Sequence, residues 1–319
     1  MSEKKIAVIG AGLIGSGIGI SAVIHGIPAA LRARTKHDLV RKRMEDGISF
    51  LEEKGVITKE VADRARGLYT ITTVIAEAVE GATLIQECGP DSVEIKRGII
   101  AEIEESADPD AIICTATSSL SITEVFAEAK NPGRCMGGHP YNPSYLIPLI
   151  EITKGQNTED SYVAAAKDFY TEIGKIPVVL NKETIGFIAN RYQSAIHREA
   201  VDLVENGVCS VEDADKALVY GVGIRWGIMG QFLTMHLGAA PDGIGSFNEK
   251  YHVDVTKPDG RLSHMPTWTT FPADWTELAQ KGLEEAIAKR DPSTGTDMDS
   301  IAAWRDDMLV ESLKLHKLL

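Results

Sequence analysis

The sequence contains no apolar run that approaches the roughly 20 residues of a membrane-spanning helix. It also shows no cleavable apolar leader, because the lysines near the N-terminus are followed directly by the strand-like IAVIG. Both absences favour a cytoplasmic protein that does not enter a membrane.

The sequence contains few cysteines and fewer basic than acidic residues. The four cysteines are scattered without metal-like spacing, so we expect reduced thiols in or near the core and no metal site. The formal net charge of −13 disfavours nucleic acids and anionic membranes as partners. With 319 residues, 44% of them hydrophobic, the chain is long enough for two domains with full cores or for one large α/β domain.

A glycine-rich turn near the N-terminus is the first positive signal. The apolar run KIAVIG is typical of a buried strand, and it leads through GAGLIG into an apolar helix. Strand, turn and helix in this order form the dinucleotide-binding fingerprint. Gly10 allows the tight turn, Gly12 lets the backbone approach a pyrophosphate, and Gly15 allows the helix to pack closely on the strand. Since a helix N-terminus also offers N–H groups to phosphate, the predicted contacts of the cofactor are Gly10, Gly12, Leu13, Ile14 and Gly15.

The second predicted strand, Ala29–Ala33, ends where such domains normally carry an acid that binds the adenosine ribose. Ala33 occupies that position here, and the cations Arg32, Arg34 and Lys36 surround it. Loss of the carboxylate removes repulsion against a 2′-phosphate, which an arginine can bind with two hydrogen bonds. The residues favour NADP as the cofactor, and NAD held through other contacts stays possible.

Strands and helices alternate up to about residue 180, which predicts an α/β fold with a doubly wound parallel sheet of the Rossmann type. From about Thr184 the pattern is helical only, and it starts with a long helix over 185–206 that carries Asn190 in its second turn. We therefore expect a dinucleotide-binding Rossmann domain over residues 1–184 and an all-α domain over residues 185–319.

The stretch Cys135–Thr153 collects the groups that oxidation of an alcohol needs. His139 ends one short apolar run, Glu151 ends a second, and Asn142 stands between two prolines. Imidazole can take a hydroxyl proton near neutral pH, and a carboxylate on its other ring nitrogen would fix the tautomer and stabilise the imidazolium. The prolines restrict the backbone, so the Asn142 amide could be held toward a substrate oxygen. A buried turn in which His139 only caps backbone groups is the alternative.

Further polar residues are candidates for substrate binding. Ser118 and Ser119 follow the predicted strand Ala111–Thr115, at the carboxyl end where parallel sheets bind ligands, although turn formation competes as the role of Ser119. Arg225, followed by Trp226, lies in a glycine-rich apolar stretch. This arginine is either a structural ion-pair partner or a clamp for a substrate carboxylate.

Together these segments resemble the 3-hydroxyacyl-CoA dehydrogenase superfamily over nearly the whole chain. The shared patterns are T-S-S-L at 117–120, H-x-x-N-P at 139–143 followed by Glu151, and G-F-[IV]-x-N-R at 186–191. The resemblance implies a Rossmann domain and a helical domain through which two copies dimerise. It also implies a catalytic base, His139, with its partner Glu151. The side chains that hold the substrate oxygen or the histidine would be Ser118, Asn142 and Asn190, and those beside the cofactor ribose and nicotinamide would be Asp91 and Lys96.

Within the superfamily the chain most resembles the branch that contains lambda-crystallin and L-carnitine dehydrogenase. The shared segments are GATLIQECGPD (81–91), GGHPYNPSYLIPLIEI (137–152) and GVGIRWGIMGQFLTMHL (221–237). Since the acyl-CoA enzymes typically lack the Arg-aromatic pair of the last segment, the resemblance implies that Arg225 meets the carboxylate of a small hydroxy acid, and Trp226 is a further candidate for substrate binding. Ala116 stands where the acyl-CoA enzymes usually have asparagine, and Gln231 replaces a proline common in the branch.

The favoured hypothesis is an NAD(P)-dependent dehydrogenase that transfers hydride between C3 of a small L-3-hydroxy acid, gulonate- or carnitine-like, and the nicotinamide. Its partner would be that small hydroxy or keto acid. One alternative is an L-3-hydroxyacyl-CoA dehydrogenase acting on a thioester such as 3-hydroxybutyryl-CoA. Another is a non-catalytic nucleotide-binding structural protein. Trp226, Trp268 and Trp275 are available for an aromatic cage around a quaternary ammonium group, and packing explains them equally well.

Overall fold

The computed structural model describes residues 4–239, 241, 243–244, 273 and 275–319. The chain divides into two compact units, one of residues 1–191 with 306–319 and one of residues 192–305. The expected domain limits, 1–184 and 185–319, remain a prediction beside this division. In the described part of the chain, no helix combines the length and the apolar character needed to cross a membrane.

The first unit is built on one eight-stranded sheet with the order β3-β2-β1-β4-β5-β6-β7-β8. The strands are β1 (Ile6–Ile9), β2 (Ala29–Arg32), β3 (Tyr69–Thr72), β4 (Leu84–Glu87), β5 (Ile112–Thr115), β6 (Cys135–Pro140), β7 (Leu149–Lys154) and β8 (Ile176–Leu180). The predicted α/β class and doubly wound sheet are confirmed. The sheet is parallel only as far as β6, because β6 and β7 pair antiparallel and β8 runs parallel to β7. The connection over 141–148 is too short for the crossover that a parallel pair requires.

Helices cover both faces of this sheet. They are α1 (Leu13–Ile24), α2 (His37–Glu53), α3 (Lys59–Arg66), α4 (Ile75–Val79), α5 (Val93–Ser106), α6 (Ile122–Val125) and α7 (Asp160–Glu172). One buried cluster joins the sheet to α1, α2, α3 and α7, and it also includes Val310 and Leu313 near the C-terminus. A second cluster joins the opposite face to α4, α5 and α6. The central strands β1 (IAVI) and β5 (IICT) are fully buried and almost wholly apolar in sequence, because a sheet covered on both faces has no solvent side.

The long helix expected over 185–206 begins later than predicted, as α8 (Ala189–Glu205). Gly186 and Phe187 have positive φ angles of 73° and 49°, which an α-helix does not accommodate. Asn190 therefore lies in the first turn of α8 and not in the second.

The second unit is helical among its described residues. Its elements are the continuation of α8, α9 (Val211–Ala217), a π-helical turn (Leu218–Val222), α10 (Gly223–Ile228), α11 (Gln231–Gly238) and α12 (Trp275–Ala288), followed by the start of α13 (Met298–Leu315). Ser210 caps α9 by accepting a hydrogen bond from the Asp213 amide at 3.1 Å. Within this unit the Arg290 guanidinium lies 5.0 Å from the centre of the Trp304 ring.

Candidate active site

The glycine-rich turn lies at the carboxyl end of β1, where the strand order changes direction and open α/β sheets bind ligands. Gly10 has a φ of 106°, and a Cβ there would lie 2.7 Å from the carbonyl oxygen of Cys88, so a side chain is excluded. A Cβ on Gly15 would lie 2.3 Å from the Gly10 carbonyl oxygen. A Cβ on Gly12 would meet nothing within 4 Å, and no side chain caps the start of α1 at this residue. The open space and the uncapped helix start fit the pyrophosphate of a dinucleotide.

A cavity of about 950 Å³ extends from this turn past the end of β2. Four cations border it: Arg32, Arg34, Lys36 and Arg43. The Nε of Arg32 donates to the carbonyl oxygen of Thr73 at 3.2 Å, so this guanidinium is partly committed to β3. Arg43 was missed in the sequence because it lies on α2, one helix away from the end of the strand. This end of the cavity is rich in positive charge, and Ala33 supplies no carboxylate to offset it.

Glu87, at the carboxyl end of β4, is a second group that the sequence analysis did not single out. It accepts hydrogen bonds from the Lys96 ammonium at 2.8 Å and from the Thr115 hydroxyl at 2.6 Å. Glu87 and Lys96 are both fully buried, and Lys96 also donates to the Gly89 carbonyl at 3.1 Å and lies 3.7 Å from Asp91. A charge can be buried only with such partners. The available signal was a glutamate inside an apolar strand, nine residues before a lysine.

His139 on β6 and Glu151 on β7 are direct partners across the antiparallel pair. The Nδ1 of His139 lies 3.0 Å from Oε2 of Glu151, and both side chains are buried. An ionised carboxylate can only accept, so Nδ1 carries the proton of this hydrogen bond. Nε2 is then the ring nitrogen that can exchange a proton with a substrate, which is the arrangement of a base with an orienting carboxylate.

The Glu151 carboxylate is held from several sides. Its Oε1 accepts hydrogen bonds from the amides of Ile188 and Ala189, each at 2.9 Å, at the start of α8. Its Oε2 accepts a second hydrogen bond from the Tyr141 hydroxyl at 3.0 Å. Burial alone would raise the pKa of Glu151, but the hydrogen bonds from His139, the two amides and Tyr141 outweigh burial and lower it. The carboxylate therefore stays ionised at neutral pH.

Two aromatic rings flank the imidazole of His139. The ring of Tyr141 lies 4.7 Å from it, centre to centre, and the ring of Phe187 lies 5.3 Å from it. Phe187 is buried and has a positive φ of 49°. The side chains of His139 and Glu151 are 8% and 1% exposed, so their hydrogen bond lies in a low-dielectric environment that strengthens it.

The other sequence-predicted residues of the first unit lie at strand ends or at the start of α8. Ser118 follows β5, and its hydroxyl donates to Asp91 at 3.2 Å. Asn142 is exposed on the β6–β7 connection and precedes a cis peptide bond to Pro143. Asn190 lies in the first turn of α8, where its backbone faces the Tyr141 hydroxyl. Ser118 follows β5, and β5 is hydrogen-bonded to β6, the strand that carries His139. The two residues therefore come from neighbouring strands of the sheet.

Arg225 and Trp226 lie on α10 in the second unit. Arg225 is exposed, and Trp226 is half-buried. The Nε1–H of Trp226 is buried and meets no acceptor among the described residues. Trp268 and the side chain of Trp275 lie outside the described residues.

The comparisons with known proteins cover both parts of the chain. The model of the 3-hydroxyacyl-CoA dehydrogenase NAD binding domain matches residues 5–184, and that of the 3-hydroxyacyl-CoA dehydrogenase C-terminal domain matches residues 186–273. L-carnitine dehydrogenase of Pseudomonas putida is 36% identical over 319 residues, which covers 98% of this chain and 94% of the relative.

Two further relatives broaden this comparison. A 3-hydroxyacyl-CoA dehydrogenase of Gibberella moniliformis is 32% identical over 318 residues, covering 98% of this chain and 92% of the relative. Among solved structures, an NAD⁺-dependent 5-formyl-3-hydroxy-2-methylpyridine 4-carboxylic acid 5-dehydrogenase matches with a TM-score of 0.80 and covers 99% of this chain and 98% of its own. At 24% identity, that structure supports the fold alone.

Proposed function

The chain belongs to the 3-hydroxyacyl-CoA dehydrogenase family and is a nicotinamide-dependent dehydrogenase, and we propose that it oxidises the C3 hydroxyl of a small, free L-3-hydroxy acid. The observation that carries the proposal is the buried His139–Glu151 pair, with Nδ1 and Oε2 3.0 Å apart, in the sheet that also carries the glycine-rich turn. The 36% identity to an L-carnitine dehydrogenase over nearly the whole chain supports a free hydroxy acid as the substrate class.

In this proposal each residue of the first unit has a defined task. Nε2 of His139 takes the hydroxyl proton, and Glu151 stabilises the imidazolium that results. Ser118 and Asn190 hold the oxygen that becomes a carbonyl, and Asn142 orients the histidine or the substrate. The nicotinamide cofactor, whose pyrophosphate the glycine-rich turn at Gly10–Gly15 would hold, would supply the acceptor for the hydride from C3. An intact acid–base pair argues against the alternative of a non-catalytic structural protein.

Arg225 and Trp226 are the proposed recognition groups for the substrate carboxylate. A guanidinium binds a carboxylate with two parallel hydrogen bonds, and an indole N–H is a further donor. The Nε1–H of Trp226 is free of acceptors among the described residues, which supports a role in binding a ligand. A quaternary ammonium group on the substrate would find a cation–π partner in the same indole.

Initial oxidation rates would test the substrate class. The panel is L-carnitine, L-gulonate, free L-3-hydroxybutyrate and its CoA thioester. We expect turnover of at least one free acid, a loss of about 10²-fold or more in kcat/KM for Arg225→Met, and a partial loss for Arg225→Lys, which keeps the charge without the planar fork. Turnover of the thioester alone, unchanged by Arg225→Met, would contradict the proposal. It would favour the acyl-CoA alternative, which is supported by the 32% identity to a 3-hydroxyacyl-CoA dehydrogenase.

The proposed cofactor is NADP. The cavity past β2 is lined by Arg34, Lys36 and Arg43, and Ala33 leaves the end of β2 without a carboxylate to repel a 2′-phosphate. The carboxylates that line this cavity, Glu94 and Glu102, lie on α5. We expect Arg34→Ala and Arg43→Ala each to lower kcat/KM for NADP by about 5- to 30-fold and to leave NAD nearly unchanged, since one charge-assisted contact contributes about 1–2 kcal/mol. Arg41→Ala is the control, because Arg41 lies on the same helix but does not line the cavity. A strong preference of the wild type for NAD would refute the assignment.

The proposed assembly is a homodimer formed through the helical region. Large apolar side chains on the π-helical turn, α10 and α11 are exposed: Val219, Tyr220, Ile224, Ile228, Phe232, Leu233 and Leu237. Such a concentration of apolar surface is typical of a protein interface. Light scattering should give twice the 34.5 kDa chain mass, and Phe232→Glu should give the monomer. A monomeric wild type would exclude the dimer.

The proposed location is the cytoplasm, on the grounds that all four cysteines are free thiols. Burial raises the pKa of the Cys114 thiol to about 12, so this cysteine is inert packing.

A further inference from the structure

The Oε2 atom of Glu151 is shared between two donors. His139 Nδ1 and the Tyr141 hydroxyl both lie 3.0 Å from it, while Oε1 is taken by the amides of Ile188 and Ala189. The carboxylate, only 1% exposed, therefore accepts four hydrogen bonds. Only one of the four comes from the group that would exchange a proton with substrate.

The Tyr141 hydroxyl is a donor throughout the physiological pH range. Burial, the charge of Glu151 and the hydrogen bond to it raise the pKa of Tyr141 well above its usual range, against an opposing effect of the Asn190 backbone. The phenol therefore stays protonated and keeps its hydrogen directed at Glu151. Its ring also lies edge-on to the imidazole at an interplanar angle of 66°, so the phenol and the imidazole are packed as one unit.

We propose that Tyr141 is a positioning residue that sets the proton affinity of the His139–Glu151 pair by competing with His139 for Oε2 of the carboxylate. The proposal rests on the proposed function only in taking this pair as the acid–base group. A hydrogen bond from the phenol draws negative charge away from Oε2 and fixes the rotation of the carboxylate. The imidazolium is then stabilised less than it would be by an unshared carboxylate. His139 thereby releases its proton more readily after the reaction.

Among the described residues, the groups that contact the pair bring no further charge. From β7 comes Glu151, from the β6–β7 connection Tyr141, and from the start of α8 the two amides and the uncharged Phe187 ring. Further along the sheet, at the end of β4, Lys96 lies between two carboxylates, 2.8 Å from Glu87 and 3.7 Å from Asp91, and neutralises one of them. Removing the neutral Tyr141 hydroxyl therefore changes the hydrogen bonding of Glu151 Oε2 and leaves the net charge of the site unchanged.

Tyr141→Phe is the direct test, because it removes the hydroxyl and keeps the ring. Titrating the imidazole signal of His139 by NMR in the resting protein should show its midpoint about half a pH unit to one unit higher than in the wild type. The acidic limb of kcat/KM against pH should move upward by the same amount, with kcat at high pH changed less than threefold. Tyr162→Phe on α7 is the matched control, and it should leave both profiles unchanged.

A second series tests the proposal if Tyr141→Phe folds poorly. Fluorotyrosines at position 141 keep the shape and make the hydroxyl a stronger donor. The midpoint should fall stepwise as the number of fluorine atoms on the ring rises. An unchanged midpoint, or a shift in the opposite direction, would overturn the proposal. The NMR titration needs no substrate, so a protein that turns over none of the panel but shows these shifts would refute the proposed function and leave the role of Tyr141 standing.

Discussion

Glu151→Gln is the substitution for which the structure gives the sharpest expectation. The amide is nearly the same size as the carboxylate, and its oxygen can still accept from the amides of Ile188 and Ala189 at 2.9 Å. Its NH₂ group must then face His139 Nδ1 and the Tyr141 hydroxyl, which are both donors in the wild type. Nδ1 would have to become the acceptor, so the proton moves to Nε2. In that tautomer the imidazole cannot take a proton from a hydroxyl group.

The expected loss follows from this inversion. The wrong tautomer of an orienting pair costs about 10⁴-fold in the analogous triad of serine proteases, and we expect a fall in kcat of about 10³- to 10⁴-fold here. The cost to folding should be about 1–3 kcal/mol, because the half-buried Tyr141 hydroxyl loses its acceptor. Initial rates at saturating cofactor, with cofactor affinity measured separately by fluorescence, separate catalysis from binding.

Glu183→Gln is the matched control for this measurement. Glu183 is also a carboxylate whose pKa is lowered, by hydrogen bonds from Thr123 and Ser121 that outweigh its burial, but it lies away from the histidine. We expect it to lose some stability and to keep kcat within threefold. If Glu151→Gln loses less than tenfold in kcat while it remains folded, the assignment of Glu151 as the orienting partner is refuted.

Two further predictions concern buried lysines. Lys96→Met should lower the free energy of unfolding by about 3–5 kcal/mol, since it leaves Glu87 buried without its cation. Adding Glu87→Gln to the same chain should restore most of this loss. If urea denaturation of the double variant shows no such recovery, the ion-pair explanation is contradicted. Burial lowers the pKa of Lys175 to about 7 in the folded protein, below its ordinary value of 10.5, so the unfolded chain binds the extra proton between these values. The wild type should therefore gain up to about 1.4 kcal/mol of stability per pH unit between pH 7 and 10 relative to Lys175→Met, and parallel stability curves would refute this.

The sequence predicted the outline of the fold because its strands and helices follow local rules. The strand at Ile176–Leu180 and the helix at Lys59–Arg66 depend on apolar runs and helix signals that few residues determine. The antiparallel pairing of β6 with β7 follows from the short connection between them. The sequence predicts this pairing only once the two strands are known to be neighbours in the sheet. The start of α8 depends on a positive φ at Phe187, which no propensity for phenylalanine would indicate.

The candidate site likewise contains residues that the sequence identified and residues that it did not. The fingerprint glycines and the histidine motif could be found because each sits in a short, contiguous pattern. Tyr141, Glu87 and Arg43 could not be assigned, because their importance comes from partners on other elements or from a second element that borders the same cavity. The roles of Ser118, Asn142, Asn190 and Arg225 stay predictions.

The cross-strand register of His139 and Glu151 has a consequence for how this enzyme can change. The two residues are twelve apart in sequence. They lie opposite each other because the hydrogen-bond ladder of β6 and β7 pairs them, and the length of the loop between the strands does not set this position. A protein engineer could therefore change the length of the connection beyond Tyr141 and Asn142, at 145–148, to admit a different substrate and leave the His139–Glu151 pair and its hydrogen bond from Tyr141 in place. The same ladder makes the pair as resistant to opening as the central sheet, so its amides should be among the last to exchange with solvent. Substrate range and catalytic chemistry are in this sense separately adjustable parts of one hairpin.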